Sequence, residues 1–285
     1  MNPSIGFLGL GAMGLPMARN LVERGFVVRA WDPREEARAA FASTGGIAAA
    51  SENEATAGDV VLLSLPHSDL LVTFARESLL PKSRHGQVFV DFTTVIPREV
   101  RSLAKAFAER GACYLDCPVP GGPGGVEQRV LRVFAGGDVD AFERVRPLLE
   151  AISAPEWVFH CGGSGCGQSV KGVNQLGMGL IQAAAMEAVH YGIASGVPAG
   201  LIGRAVGGGG GFRGLVKGLC DQIEKDAASG IPIKYDQFGF FLDEAGDRGF
   251  DLPVVEFLYS LLKDQPTPVR DANQFAPSYW DYLSR

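Results

Sequence analysis

Long apolar runs are missing. No stretch of the 285 residues reaches the ~20 consecutive apolar residues that a membrane-spanning helix requires. The most apolar segment, Leu176 to Ala194, is broken by Gln182, Glu187 and His190. An excess of basic charge is missing too. The 26 Lys and Arg stand against 32 Asp and Glu, for a net charge of −6 and a pI near 5.3. That balance points away from nucleic acid and anionic membranes as partners. The five cysteines, Cys113, Cys117, Cys161, Cys166 and Cys220, are odd in number and form no C-x-x-C pair. Neither a disulfide framework nor a zinc site is indicated, no metal is expected, and reduced buried thiols are the reading for most. No unit of 20 to 50 residues repeats. The first apolar run begins at Ile5, which leaves no room for a charged and apolar leader, so the cytoplasm is the expected location.

What is present starts with Ile5-Gly-Phe-Leu-Gly-Leu-Gly-Ala-Met-Gly-Leu-Pro-Met-Ala-Arg-Asn-Leu21. Ile5 to Leu8 reads as a buried strand. Gly9, Gly11 and Gly14 then fit G-x-G-x-x-G where a strand meets a helix. In that pattern the first glycine permits the tight turn, the second lets a pyrophosphate approach the backbone, and the third lets the helix lie close on the strand. The helix N-terminus offers free N–H groups to phosphate. A second strand, Val27 to Trp31, ends at Asp32, about 20 residues on, where a ribose 2′-hydroxyl needs an acceptor. The competing reading is a glycine turn that only packs a helix on a sheet. Asp32 favours NAD over NADP, because a carboxylate repels a 2′-phosphate, whereas Arg34 could compensate.

A chain of this length can bury a large core and divide into two domains. Up to about residue 160, short apolar runs alternate with helical patterns. The runs are Asp59–Leu65, Gln87–Asp91, Cys113–Cys117 and Arg132–Ala135, with helical patterns over Arg34–Ala42 and Arg98–Arg110. Alternating βα units imply a doubly wound parallel sheet, with ligands at the carboxyl ends of its strands. From about Gly165 the pattern becomes helical: Cys166–Ser195, Leu201–Val206, Arg213–Ala228, Tyr235–Gly246 and Leu252–Lys263. The expected division is therefore a Rossmann dinucleotide-binding domain, 1–163, and an all-α substrate and oligomerisation domain, 164–285. The five glycines Gly207–Gly211 read either as a flexible joint or as a close ligand approach. The tail carries Phe275, Tyr279, Trp280 and Tyr282, and either docks or frays.

Two further stretches can carry chemistry. In Gly162 to Gln175 a glycine-rich turn opens the long helix, and Lys171, Asn174 and Gln175 fall at i, i+3 and i+4, on one face. A lysine on an apolar helix is either a tuned proton carrier or the partner of a carboxylate. In Asp116-Cys-Pro-Val-Pro-Gly-Gly-Pro-Gly-Gly125, successive glycines after a strand either form a nest of N–H groups for an anion or are a bare loop.

Together these stretches resemble the β-hydroxyacid dehydrogenase family, which includes 3-hydroxyisobutyrate dehydrogenase and, more distantly, 6-phosphogluconate dehydrogenase. Gly6 to Leu21 looks like the family's cofactor signature. Leu65-Pro66 and Asp91-Phe-Thr-Thr94 resemble the segments that line the nicotinamide. Asp116 to Gly122 resembles its D-x-P-V-S-G-G substrate loop, and Gly162 to Gln175 its G-x-x-G-x-G-x-x-x-K-x-x-N-N pattern. The resemblance implies Lys171 as catalytic acid/base and Asn174 as the group that orients substrate. It implies a substrate site at Pro120, Gly121, Gly122, Thr94 and Gln175. It implies a cofactor site at Gly9, Leu10, Gly11, Ala12, Met13, Gly14, Asp32, Leu65, Pro66 and Thr94. It also implies homodimers or homotetramers.

The chain departs from the pattern in places. Pro120 replaces the loop serine, Gly125-Val-Glu-Gln-Arg129 replaces a run of small residues, and Gln175 replaces the second asparagine. Asp236-Gln237 stands where the family has Lys-Asp, with Lys234 two positions away, and Phe238-Gly-Phe-Phe241 follows. Arg129 is either an anion clamp or a solvated side chain. The expected activity is NAD(P)-dependent hydride transfer on a small β-hydroxy acid or its oxo or semialdehyde form. Two alternatives stand beside it. One is a reductase of another carbonyl or an imine with a pocket remodelled by Pro120, Val126 and the aromatic run. The other is a cofactor-binding scaffold without turnover.

Overall fold

The computed structural model describes residues 3–228, 235–262 and 279–283. The chain divides into two compact units, Met1–Gly172 and Val173–Arg285.

The first unit runs β1 (Ile5–Leu8), α1 (Gly14–Glu23), β2 (Val28–Trp31), α2 (Glu35–Ala42), β3 (Ile47–Ala48), α3 (Glu52–Thr56) and β4 (Val60–Leu63). It continues through α4 (Ser68–Phe74), β5 (Val88–Asp91), α5 (Pro97–Ala108), β6 (Cys113–Asp116), α6 (Gly122–Glu127), β7 (Val133–Ala135), α7 (Val139–Ile152) and β8 (Val158–His160). Six strands form one parallel sheet in the order β3-β2-β1-β4-β5-β6. This is the doubly wound Rossmann arrangement, with the order reversing beside β1. The runs are continuously apolar because both faces of the sheet are covered. Side chains alternate between the two faces. Ile5, Phe7, Val60 and Leu62 enter one core, and Leu8, Val61 and Leu63 the other.

The run at Arg132–Ala135 does become a strand, but β7 pairs with β8 as a separate two-stranded sheet. An antiparallel bridge between Asp116 and Gly136 links it to the end of β6. The helix α7, which the apolar-run pattern did not single out, is capped by Asp138, whose carboxylate accepts the Ala141 N–H at 2.8 Å.

The helix α8 (Cys166–Ala194) begins in the first unit and continues in the second. The second unit adds α9 (Ala199–Ala205), α10 (Phe212–Glu224), α11 (Tyr235–Arg248), α12 (Pro253–Leu262) and α13 (Tyr279–Leu283). The glycine run Gly207–Gly211 joins α9 to α10. Met186, Val189, Val216, Leu219, Phe238, Leu258 and Tyr279 build its core. The described segment Tyr279–Leu283 docks inside this unit. Tyr279 is buried and donates its hydroxyl proton to Glu187, and Trp280 meets the His190 ring edge-on at 6.0 Å. Phe275, Lys263 and Lys234 lie outside the described residues, as does the side chain of Asp236. Among the described residues no helix is long and apolar enough to cross a membrane.

Candidate active site

The carboxyl edge of the large sheet begins with the turn after β1. Gly9 has φ +91°, and its N–H donates to Trp31 O at 3.0 Å. A Cβ on Gly14 would stand 1.8 Å from the Gly9 carbonyl oxygen, so only glycine lets α1 start against this turn. A Cβ on Gly11 would meet nothing within 4 Å, which leaves that backbone open to an approaching group. At the start of α1, Met13 makes no side-chain capping bond, and no acidic residue occupies the first turn. Within that turn the Leu15 N–H already donates to Gly11 O at 3.1 Å and Pro16 has no N–H, so an anion here would be met by the amides that precede them. A cavity of about 300 Å³ lies here, lined by Leu10, Gly11, Ala12, Leu15, Arg19 and Arg34 among others. These features fit the phosphates of a dinucleotide.

Asp32 is buried beside this cavity and fully engaged. Its carboxylate accepts the Leu10 N–H at 2.8 Å and the Arg34 N–H at 3.0 Å. The Arg34 guanidinium adds bonds of 2.9 and 3.1 Å. Burial alone would raise the Asp32 carboxyl, but the bonds from Arg34 and Leu10 outweigh it and hold the group below its ordinary value. Asp32 is therefore an anion, and Arg34 stands over it. Arg129 is settled as an ion pair: its guanidinium lies 2.6 Å from Glu23 of α1.

Further along the edge, a chain of buried polar groups links three strand ends. The Leu65 N–H donates to the Thr93 hydroxyl at 3.2 Å, and the Thr93 N–H to Asp91 at 2.9 Å. The Tyr114 hydroxyl donates to the other Asp91 oxygen at 2.7 Å. Asp91 and Asp116 lie side by side in the β5–β6 register. Burial pushes Asp91 up to about 7 and Asp116 up to about 6, and the mutual repulsion of the two adds to the rise at Asp91. Asp116 accepts the Gly165 N–H at 2.8 Å and the Gln168 N–H at 2.9 Å, and so caps the start of α8. Pro66 is exposed and Thr94 half-buried at the same edge.

Lys171 is 5% exposed, three residues beyond Gln168. Its ammonium Nζ donates to the Val119 carbonyl at 3.1 Å. The structure thus brings Lys171 onto the loop that continues into Pro120, Gly121 and Gly122. In that loop Gly121 has φ +115° and Gly122 φ +62°, and a Cβ on Gly122 would meet nothing within 4 Å. Asn174 and Gln175 follow on the same helix, in the second unit. The Asn174 amide donates to Gln175 at 3.0 Å, and the Gln175 amide to Gln237 at 2.7 Å. Three residues expected to remodel a pocket are core residues instead. Val126 is fully buried in the first unit, and Phe238 and Phe241 are buried in the second.

Asp91, Thr93, Asp116 and Gln168 fall inside the motif stretches, but none is named there as a site residue. A signal was there: Asp91 and Asp116 each end an uninterrupted apolar strand, where a buried carboxylate must find partners.

The family model for the NAD binding domain of 6-phosphogluconate dehydrogenase matches residues 4–163. The 2-(hydroxymethyl)glutarate dehydrogenase of Eubacterium barkeri is 32% identical over 258 residues, 88% of this chain and 85% of that one. The NAD-dependent L-serine dehydrogenase of Pseudomonas aeruginosa is 35% identical over 198 residues, 68% of this chain and 66% of that one. Among solved structures, the 3-hydroxyisobutyrate dehydrogenase of Mycobacterium tuberculosis with L-serine has a TM-score of 0.82 at 27% identity, covering 100% of this chain and 99% of that one. The chain belongs to the β-hydroxyacid dehydrogenase family. It is an NAD(P)-binding oxidoreductase of the hydride-transferring hydroxyacid dehydrogenase class.

Proposed function

We propose that the protein oxidises a 3-hydroxy acid with a terminal hydroxymethyl group to its semialdehyde, and catalyses the reverse, with Lys171 as general base and acid. The observation that carries this is the buried Lys171 ammonium held on the Val119 carbonyl, next to the Pro120–Gly122 loop. The named relatives act on L-serine, 3-hydroxyisobutyrate and 2-(hydroxymethyl)glutarate. All three carry a hydroxymethyl carbon next to the carbon that bears the carboxylate, and they differ in the second substituent there. That shared unit is the substrate class.

The nicotinamide, when bound, accepts or returns the hydride. The chain's own residues do the rest. Lys171 in its neutral form takes the hydroxyl proton as the C–H bond yields its hydride, and in reduction gives it back. A neutral amine keeps two N–H bonds, so the hold on Val119 persists in both protonation states. Gly121 and Gly122 bind the carboxylate through backbone N–H, because Pro120 has none to offer. Asn174 and Gln175 orient the hydroxyl or oxo oxygen, and Thr94 seats the substrate or the nicotinamide. Residues 9–14, Asp32, Leu65 and Pro66 hold the dinucleotide. In this reading 1–163 is the dinucleotide-binding domain, and 164–285 the helical substrate and oligomerisation domain.

NAD is the preferred cofactor. A 2′-phosphate would meet the Asp32 anion and would have to draw Arg34 away from it. Titration should show NADH bound about tenfold tighter than NADPH or better; equal or tighter NADPH binding overturns this preference. The assay of function is a panel of L-serine, 3-hydroxyisobutyrate and 2-(hydroxymethyl)glutarate with each nucleotide. At least one acid should turn over, and Lys171→Ala should lower kcat by about 10² or more while leaving nucleotide affinity unchanged. A fully active Lys171→Ala enzyme removes Lys171 from the role.

A further inference from the structure

We infer that Gln168, together with Asp116, is the positioning device for Lys171, tying the first turn of its helix to the strand ends that carry the cofactor-facing loops. The inference rests on the acid–base reading of Lys171 and adds a residue to which no motif assigns a role.

Gln168 is fully buried, and its side-chain amide makes two bonds to a different segment. Nε2 donates to Thr93 O at 2.7 Å, and Oε1 accepts the Val95 N–H at 3.2 Å. These bonds flank Thr94. The backbone N–H of the same residue donates to Asp116 at the end of β6. One residue therefore joins the loop after β5 to β6 and to the opening of α8. Thr93 extends the link, since its hydroxyl accepts the Leu65 N–H after β4. Lys171 lies three residues on, close to one helical turn, so any slip or rotation of this turn moves Nζ relative to Val119 O. The arrangement fits a demand for accuracy rather than for burial: an apolar side chain would fill the space without fixing the register. Misplacing a reacting group by about 1 Å can cost as much as 10²-fold in rate.

The first unit supplies an internal control. Gln87 is also buried, and its amide likewise bridges separate segments, donating to Thr56 O at 2.9 Å and Gly58 O at 2.7 Å while accepting the Arg84 N–H at 3.1 Å. It precedes β5, at the opposite end of the strand from Asp91. Gln168→Met and Gln87→Met remove the same kind of amide at the two ends of the sheet.

The test compares both variants with the full-length enzyme on the acid found active in the panel. Gln168→Met should lower kcat about tenfold or more and leave the KM for nucleotide within about twofold, whereas Gln87→Met should leave both constants within about twofold. A second readout needs neither cofactor nor turnover: the rate at which acetic anhydride acetylates Lys171, followed by mass spectrometry. It should rise in Gln168→Met and stay at the wild-type value in Gln87→Met. Should Gln168→Met fail to fold, Gln168→Glu decides. Its carboxylate keeps the acceptor for Val95 and loses the donor to Thr93, and protonation restores a donor. Its kcat relative to wild type should therefore recover as the pH falls. Asp91, Asp116 and Tyr114 are the titratable groups of the network, and Arg101 packs against Gly165; they are common to both enzymes, so the ratio isolates the introduced carboxyl. The inference is overturned if Lys171→Ala is inactive while Gln168→Met, or failing that Gln168→Glu at every pH, behaves like Gln87→Met in kcat and in Lys171 acetylation. An active Lys171→Ala enzyme instead overturns the acid–base reading beneath it.

Discussion

The two units of the chain spend their irregular residues in opposite ways. In Met1–Gly172, polar groups go inside: Asp32, Asp91, Thr93, Asp116, Gln168 and Lys171 are all buried at or next to the carboxyl edge of the sheet. In Val173–Arg285, Glu244 is the buried charged residue among those described, and it pairs with Arg248 at 2.5 Å. That unit turns more of its large apolar groups outward than the first does. Val173, Tyr191, Val254 and Phe257 are each more than 60% exposed. Buried polar groups are costly and persist where their geometry is used; exposed apolar groups persist where something covers them. From this contrast we propose that the first unit carries the cofactor site and the acid–base lysine, and that a homo-oligomer is built through the helical unit, which also supplies Asn174 and Gln175.

The sharpest way to break the contrast is at the glycine turn. Gly14→Val places carbon against the Gly9 carbonyl, where a Cβ already stands 1.8 Å away. It should weaken nucleotide binding by about 10² or more in a fluorescence titration, because α1 can no longer start at the turn. Next in size is the apolar surface of the second unit. Val254→Glu combined with Phe257→Glu should reduce the mass seen by sedimentation to that of one chain, with the folded signal in circular dichroism retained. An unchanged mass would detach α12 from the proposed interface.

The buried carboxylates give a smaller, pH-dependent effect. Asp91 sits at about 7 in the folded protein and near 4 in the unfolded chain. Between those values the native state holds the extra proton. Its contribution is present at low pH and fades as the pH rises through about 7. The melting temperature should thus fall between about pH 5 and pH 8, and Asp91→Asn should flatten that fall. A wild-type melting curve that is flat or rising over this range contradicts the assignment. The smallest effect is expected at the end of the chain. Tyr279→Phe removes the bond to Glu187 and should cost about 1 kcal/mol in denaturant unfolding, with kcat unchanged.

How much of this was legible beforehand differs between the units for the same reason. The strands β1, β4, β5 and β6 are short apolar runs ended by turns, and a run buried on both faces announces itself. The doubly wound parallel sheet and the glycine turn followed from local patterns, whereas the role expected of Lys171 came from the family resemblance. By contrast, Val126, Phe238 and Phe241 suggested a remodelled pocket and are buried, while Phe240 between them is half-buried. An apolar side chain carries no mark of which apolar surroundings it will join. The pairing of β7 with β8 was hidden as well, because three-residue strands depend on a partner distant in sequence.

Composition and spacing alone determined the fold class, the nucleotide turn and the presence of a lysine near the head of a long helix. These are local matters, set by backbone sterics, by periodicity and by the cost of burying charge. Only the tertiary structure decided that Arg34 stands over Asp32, that Arg129 pairs with Glu23, and that Gln168 binds Thr93 and Val95. Each of those contacts joins side chains to groups whose nearness depends on how strands and loops are stacked, and a hydrogen bond forms only where the stacked backbone brings donor and acceptor to about 3 Å.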